Sequence, residues 1–329
     1  MHVSVLTWVI TIAVTLTILG LDVFVLGRKP HEPSRRELIL ALSSYVALAL
    51  IFGVGVIWVW GSRYGGEFYA GWLTEYSLSV DNLFVFLLLM ARFSVPRQLQ
   101  SSALMVGIVV ALIFRGLFIG VGAAAINAFS WVFYIFGAFL VFTALNLLRG
   151  EDEEADESSR LVLWLQKRVP MTDEWNGSHF FARIDGRRLA TPMLMVAIAL
   201  GTTDLLFALD SIPAIYGLTS QAYLVFAANV FALMGLRQLY FLLGNMLERL
   251  HYLSYGLSFL LAFIGVKLVL HALHENTLPF INGGHPVHGA PDVSTAISLA
   301  VIVGTMAVTV AASLIRERRE VTSEGREVS

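Results

Sequence analysis

The sequence predicts an all-α membrane protein: a polytopic helical bundle of about nine transmembrane helices that contains an inverted repeat of three-helix units. Three observations lead to this prediction. The 329 residues are 57% hydrophobic and only 14% charged, with a mean hydropathy of +0.74. Long apolar segments recur along the chain between short polar breaks. Two acidic motifs in different segments share the same internal spacing.

The composition excludes several classes of protein. The apolar fraction exceeds the globular norm of about 45 to 50%, which argues against a soluble enzyme. The chain has no cysteine, so disulfides, thiolate ligands and thiol redox chemistry are excluded, and only oxygen or nitrogen can hold a metal. A net charge of −2 gives no sign of a nucleic-acid partner. Since the sequence shows neither a nucleophile with a paired base nor a phosphate-binding glycine loop, we expect no enzymatic activity and no resident cofactor.

Nine segments are apolar enough to cross a hydrocarbon core of about 30 Å, which takes roughly 20 residues per helix. They cover residues 3–26, 37–60, 68–90, 101–123, 131–148, 192–216, 222–246, 252–272 and 293–315. The first has no basic residue before it and no small-residue cleavage site after it, so we interpret it as a retained span. Residues 1–320 are predicted to form a single integral membrane domain, followed by a disordered cytoplasmic tail at 321–329.

The basic residues between the segments predict the orientation. Every second loop holds Lys or Arg, whereas the intervening loops contribute only Arg63. Because cytoplasmic loops carry the excess of basic residues, we expect the N-terminus outside and the C-terminus in the cytoplasm of a cell whose inner (plasma) membrane holds the protein. The longest cytoplasmic loop, 150–191, contains an acidic run at 151–157. We interpret this run as a solvated linker, with cation gathering at the cytoplasmic mouth as the alternative.

Residues 68–149 and 192–273 are the two predicted copies of the repeat. The acidic pairs in their first helices have the same spacing of six residues, and the pairs are offset by 129 residues. The matching charged residues are Glu75 with Asp204, Asp81 with Asp210, and Arg115 with Arg237. Each copy has three spans, an odd number, so the second copy must enter the membrane from the opposite side. Inverted repeats are typical of secondary transporters, whose ion sites lie near the membrane midplane between the copies.

Eight ionisable residues lie within the predicted spans, where an ionised side chain costs roughly 2.5 to 3.5 kcal/mol on insertion scales. Five are acidic and three basic, which leaves two negative charges that one divalent cation or two protons would balance. Divalent cations of the hard or borderline kind prefer oxygen ligands. The predicted metal ligands are Glu75, Asp81, Asn82, Asp204, Asp210 and Ser211. The predicted charge-balancing residues are Arg115, Arg237 and Lys267, and Asp22 is a predicted mouth residue.

Helix geometry limits how these acids can act together. Two acids six residues apart on an intact helix lie about 9 Å apart along its axis and cannot chelate one ion. Either the helix is interrupted, for which Pro213 is the candidate, or each acid pairs with its repeat mate across the interface. For the three basic residues, ion pairing that only makes the bundle insertable is the alternative to a role in the site. For Asp22, the alternative is pairing with Arg28 or Lys29.

Four histidines lie at or near the last outside loop: His271, His274, His285 and His288. We interpret them as part of a solvated loop, with metal binding or pH sensing as the alternative.

The stretches TEYSLSVDNLFVFLLLMARFSVP and GTTDLLFALDSIPAIYGLT closely resemble the two signatures of the TerC family of bacterial integral membrane proteins, including its Alx branch. The likeness runs from about residue 3 to residue 272. Members are associated with tellurite resistance and manganese homeostasis, and the resemblance implies export of manganese(II) from the cytoplasm. Carried over residue by residue, it points to Glu75, Asp81, Asn82, Asp204 and Asp210.

Together these features predict a secondary transporter that moves a divalent cation outward, manganese(II) before others, with proton counterflow through the same acids. Calcium and zinc stay open because ligand type does not separate them from manganese, whereas a tellurium oxyanion would need surplus positive charge. The alternative is a membrane scaffold or stress-response component, related to tellurite resistance or redox, whose cytoplasmic loop docks partners. The expected partners are therefore a divalent cation and the lipid bilayer.

Overall fold

The computed structural model is mainly helical over the residues that it describes. These are residues 1, 3–26, 34–129, 131–149, 170–172, 174–184, 187–243, 252–274, 278, 281–282, 285, 287, 291 and 293–327. Within them, the side chains at 19, 21–26, 80–81, 84, 88, 127, 187, 243 and 317–327 lie outside the description.

Ten helices lie in the described residues. They are α1 Val5–Leu26, α2 Arg35–Trp60, α3 Ser62–Arg92, α4 Arg97–Ala128, α5 Val132–Arg149, α6 Pro192–Tyr216, α7 Ala222–Met234, α8 Leu236–Leu243, α9 Leu253–His274 and α10 Thr295–Glu327. A short antiparallel hairpin of β1 Phe181–Ile184 and β2 Arg187–Ala190 precedes α6. The prediction of an all-α membrane bundle is confirmed, and the hairpin is a small addition within the predicted cytoplasmic loop.

Each of the nine predicted segments coincides with a helix or, for residues 222–246, with α7 and α8 in tandem. Among the described residues, seven of the segments are long and apolar enough to cross a membrane. The described side chains of α1 give a shorter apolar stretch, Val5–Ile18, and α3 is not among the seven. Helix α3 is continuous, but charged residues, Glu67 and Glu75 among them, interrupt its apolar sequence. The number nine therefore stays a prediction.

Local sequence sets both ends of helix α2. Ser34 caps the start of α2, since its hydroxyl accepts from the Glu37 backbone N–H while the Glu37 carboxylate accepts from the Ser34 N–H at 2.8 Å. At the other end, Gly61 adopts a φ of 98°, a conformation that side chains disfavour. This single residue ends α2 and starts α3, which brings the two helices into direct contact.

The helix contacts join the two predicted copies of the repeat. Helix α5 packs on α9, α4 on α6, and α3 on α7. If α3, α4 and α5 correspond to α6, α7 and α9, exchanging the copies converts the α3–α7 contact into the α4–α6 contact and leaves the α5–α9 contact unchanged. A pseudo-twofold axis requires this pattern. The inverted repeat itself stays a prediction, and α1, α2 and α10 pack around its edge.

Helices α5 and α9 cross where two glycines face each other. A Cβ on Gly137 would lie 2.7 Å from the carbonyl oxygen of Gly265, and a Cβ on Gly265 would lie 2.8 Å from the carbonyl oxygen of Gly137. Close backbone approach at small residues is a common means of helix association in membranes. Nearby, the Ser258 hydroxyl on α9 donates to the Ala144 carbonyl on α5 at 2.6 Å.

One local prediction differs from the structure. Helix α6 runs without interruption through Pro213, because this proline lies in the last turn, where the loss of one backbone hydrogen bond is tolerated. Helix α10 continues to Glu327, and the disorder predicted for the tail from residue 321 stays a prediction. The sequence RERREVTSEGRE is rich in arginine and glutamate, which favour helix, and this propensity extends α10 beyond its apolar part.

Replacing Gly137 with alanine should destabilise the bundle by about 1–3 kcal/mol, because the new methyl group meets backbone atoms that cannot rotate away. The matched control is Gly120→Ala in α4, where a Cβ would meet nothing within 4 Å. That change should be neutral or stabilise the helix by up to about 1 kcal/mol. The free energy of unfolding, measured by SDS titration of the purified protein, checks both. Equal stability of the two variants would contradict the described α5–α9 crossing.

Candidate ion site inside the helical bundle

Two carboxylates and one amide converge on the guanidinium of Arg115. Its Nε and Nη2 atoms donate to the two carboxylate oxygens of Asp204 at 3.3 and 3.2 Å. Its Nη1 atom donates to the Oδ1 atom of Asn229 at 2.7 Å and to the Oε1 atom of Glu75. We call these four side chains the Arg115 cluster. They come from α3, α4, α6 and α7, so both predicted copies contribute.

The Arg115 cluster is shielded from solvent. The residues are exposed by only 1% at Arg115, 0% at Glu75, 2% at Asp204 and 1% at Asn229. Removing one partner from a buried ion pair costs about 3–5 kcal/mol, because it leaves a charge without compensation. One guanidinium cannot neutralise two ionised carboxylates, so the cluster carries one negative charge when both acids are ionised.

Local structure orients each member of the cluster. Glu75, Arg115 and Asp204 all lie in the interior of long helices, away from the helix ends. The Asn229 Nδ2 atom donates to the Val225 carbonyl one turn earlier at 3.0 Å, which directs Oδ1 toward Arg115. The bidentate contact fixes the plane of the guanidinium against Asp204, a geometry that lysine cannot reproduce.

Three buried oxygens, one in the cluster and two on residues that directly precede its acids, have no hydrogen-bond partner among the described residues. One is the second carboxylate oxygen of Glu75, Oε2. The Oγ1 atoms of Thr74 and Thr203 are two more, and these threonines directly precede Glu75 and Asp204. They are also 129 residues apart, like the acids that they precede. Unsatisfied buried oxygens are costly. A cation can bind carboxylate and hydroxyl oxygens, and a proton can bind the Glu75 carboxylate.

The structure brings together only part of the predicted ligand set. Glu75 and Asp204 meet at Arg115, as expected for repeat mates that pair across the interface. Asp210, half-buried farther along α6, instead accepts from the Thr143 hydroxyl of α5 at 3.2 Å. Asn82 and Ser211 are buried, and the Ser211 hydroxyl has no partner among the described residues.

Other predictions fall partly or wholly outside the description. Asp81 lies in α3 and Asp22 in α1, but the positions of their side chains lie outside the described residues. The acidic run at 151–157 and His288 lie outside them as well. Within the described part of the chain, no three His, Asp or Glu side chains cluster as metal ligands.

The three predicted charge-balancing residues lie in different surroundings. Arg115 binds the acid pair. Arg237 is buried at the start of α8. When the Gln238 amide is oriented so that both its oxygen and its nitrogen are hydrogen-bonded, the oxygen accepts from Arg237 at 3.3 Å. Lys267 on α9 donates to the Ser298 hydroxyl of α10 at 3.0 Å. Arg115 therefore joins the repeat acids Glu75 and Asp204, and the charge-balancing role of Arg237 and Lys267 stays a prediction.

Lys267 lines a cavity of about 660 Å³ at the predicted outer ends of α3, α9 and α10. Glu67 also lines it and accepts from Arg63 at 3.0 Å and from the Thr219 hydroxyl at 2.7 Å. His271 borders the cavity too, and its ring packs edge-on against Phe133. The outer cavity is thus separate from the Arg115 cluster, none of whose four residues lines it.

Three polar residues that contact charged groups in the structure were not predicted from the sequence. Asn229 stands alone among apolar residues in AYLVFAANVFALM, and an isolated amide in such a helix is a usable signal. Thr143 has no such signal, because threonine often bonds its own helix. Glu67 lies just outside the predicted span at 68–90 and was not considered.

A protein-family model and several known proteins match this sequence. The model of the integral membrane protein TerC family matches residues 60–321, from the end of α2 through the apolar part of α10. This chain belongs to the TerC family. The match starts later than the predicted likeness and extends beyond its expected end at residue 272, since it includes the last helix. No solved structure matches the chain significantly.

Relatives cover most of this TerC family member. An uncharacterized membrane protein of Mycobacterium tuberculosis is 45% identical over 318 residues, which cover 95% of this chain and 80% of the relative. An uncharacterized membrane protein of Myxococcus xanthus is 37% identical over 318 residues, 96% of this chain and 94% of the relative. Alx of Escherichia coli, named as a proposed membrane-bound redox modulator, is 38% identical over 262 residues, 77% of this chain and 82% of the relative.

A double-mutant cycle tests the Arg115 cluster. Glu75→Gln and Arg115→Gln should show a coupling energy of about 1–3 kcal/mol in the free energy of unfolding, because each removes the charge that compensates the other. The control pairs Glu75→Gln with Arg237→Gln, which should be additive within about 0.5 kcal/mol. Additive effects in the first pair would show that Glu75 and Arg115 do not interact.

Proposed function

We propose that this chain is a secondary transporter of the plasma membrane that exports a divalent metal cation, with manganese(II) as the first candidate. The observation that supports this proposal is the pairing of Glu75 and Asp204, one from each predicted copy, on a single buried guanidinium. Two acids against one base favour a cationic substrate. We propose no enzymatic activity.

The ligand chemistry supports a hard or borderline divalent ion. Besides the two carboxylates, the hydroxyl oxygens of Thr74 and Thr203, which precede these acids in the sequence, are buried and without partners among the described residues. Manganese, calcium and magnesium accept such oxygen donors, whereas an oxyanion would be repelled by the surplus negative charge. The family resemblance to proteins of manganese homeostasis favours manganese(II) among these ions.

The position of the two acids on different copies supports alternating access. If one copy rocks against the other, the distance between the Glu75 and Asp204 carboxylates changes, and so does the affinity for a bound cation. A conformation that binds the ion and one that releases it are the two states that transport requires. Protons are the proposed counter-ions, because protonation of the acids compensates the charge that the departing metal leaves.

Transport in inverted membrane vesicles tests the proposal, with the cytoplasmic face directed outward and radioactive manganese(II) added outside. We expect uptake with the parent chain and a loss of at least about tenfold with Glu75→Gln or Asp204→Asn, because each removes a charged ligand. The matched control is Glu174→Gln, an exposed residue of the predicted cytoplasmic loop, which should transport like the parent. Parent-like uptake by both site variants would overturn the proposal.

The Alx relatives are named as proposed membrane-bound redox modulators, which favours a second candidate, a stress-response component without transport. This chain has no cysteine, so its own thiols cannot carry a redox role. In this second case, deletion of the acidic residues 151–157 should abolish the protective effect in cells, and the vesicles should show no manganese uptake at all. In the transporter case, the deletion should leave both nearly intact.

A further inference from the structure

We propose that Arg115 is a tethered competitor of the transported ion, which occupies the acid pair when no metal is bound and is displaced only by a divalent cation. This inference rests on the proposed function and adds to it the source of its selectivity. It would make Arg115 a specificity-determining residue in addition to a structural ion-pair partner.

The balance of charge supports displacement. With both acids ionised, the Arg115 cluster carries one negative charge, and a divalent cation added beside the guanidinium would turn this into one positive charge. A divalent cation that replaces the guanidinium leaves the two carboxylates neutralised. Because the metal and the guanidinium repel each other at the shared carboxylates, binding of the metal and withdrawal of Arg115 favour each other.

Monovalent ions are weaker competitors. A sodium or potassium ion carries half the charge of the metal, so the two carboxylates attract it less strongly and it repels the guanidinium less. It would also have to break the bidentate contact with Asp204 and the contact with Glu75. Charge-assisted contacts of this kind are the stronger hydrogen bonds in proteins. The guanidinium therefore excludes ions that a bare pair of acids would accept.

The geometry leaves Arg115 a neutral partner when it withdraws. Its Nη1 atom also donates to Asn229, whose amide is held by its own hydrogen bond to Val225. This contact involves no carboxylate, so it need not be lost when the acids bind a metal. An arginine outside the helical bundle, Arg188 of the hairpin, provides the control for removal of a guanidinium.

The test measures manganese(II) binding to the purified full chain in lipid nanodiscs by electron paramagnetic resonance of the free ion. In the parent, an excess of sodium or of low, non-denaturing guanidinium chloride should not compete. In Arg115→Ala, manganese(II) should bind at least about tenfold more tightly, because the competing state is gone. Sodium should now compete, and guanidinium should reduce manganese binding without reaching a plateau, since both cations need the same acids.

The Arg188→Ala control should keep the parent's affinity and its insensitivity to both ions. If Arg115→Ala does not yield folded protein, Arg115→Lys carries the test, since an ammonium lacks the bidentate contact and should compete less well. Its manganese(II) affinity should therefore exceed that of the parent.

Two results separate the failures. No manganese(II) binding by the folded parent would overturn the proposed function and this inference with it. Binding by the parent together with unchanged or weaker binding by the Arg115 variants, or a guanidinium effect that reaches a plateau, would overturn the inference alone. A plateau would mean that guanidinium and metal occupy the protein together.

Discussion

The contact between one guanidinium and two carboxylates is the constraint on which the centre of this bundle depends. Arg115 holds Glu75 and Asp204 from opposite halves of the predicted repeat, in surroundings with almost no solvent exposure. Each of the three charges would be strongly unfavourable without the others. Helices α3, α4 and α6 must therefore approach one another at these residues, and Asn229 adds α7 to the same cluster.

The remaining contacts between the halves lie at other levels of the bundle. At the predicted outer end, Thr219 donates to Glu67 and the Tyr216 hydroxyl donates to the Ile119 carbonyl, each at 2.7 Å. Helices α5 and α9 cross at facing glycines. The outer hydrogen bonds join the ends of α3 and α4 to the end of α6, so rocking of one half against the other must break or shift them. Under the proposed function they belong to the state that is closed toward the outside.

The sequence predicted the helical segments, and it gave pairing of repeat mates as one of two alternatives, because both follow from simple periodicities. Apolar segments of about 20 residues suffice for the helices. The six-residue spacing showed that Glu75 and Asp81 could not act together on one straight helix, and the structure places Glu75 against Asp204. The partner of each charge was harder to predict, because it depends on how far one helix is displaced against another. For this reason the contact of Lys267 with Ser298 of α10 was not predicted.

The interruption at Pro213 was wrong for a related reason. A proline breaks a helix only where its missing hydrogen bond cannot be tolerated, and its distance from the end of α6 was unknown from the motif alone. Thr143 was missed because a threonine in an apolar helix reveals its role only through its neighbour. For Asn229, the isolated amide signals a polar role but does not identify the partner.

The decisive measurement is a crystal structure of the manganese(II)-bound protein, with anomalous scattering recorded at the manganese edge. We expect an anomalous peak between the carboxylates of Glu75 and Asp204, with the Arg115 guanidinium withdrawn from both. An ion bound away from these acids, or Arg115 still bidentate on Asp204 in the metal-bound state, would contradict the proposed site.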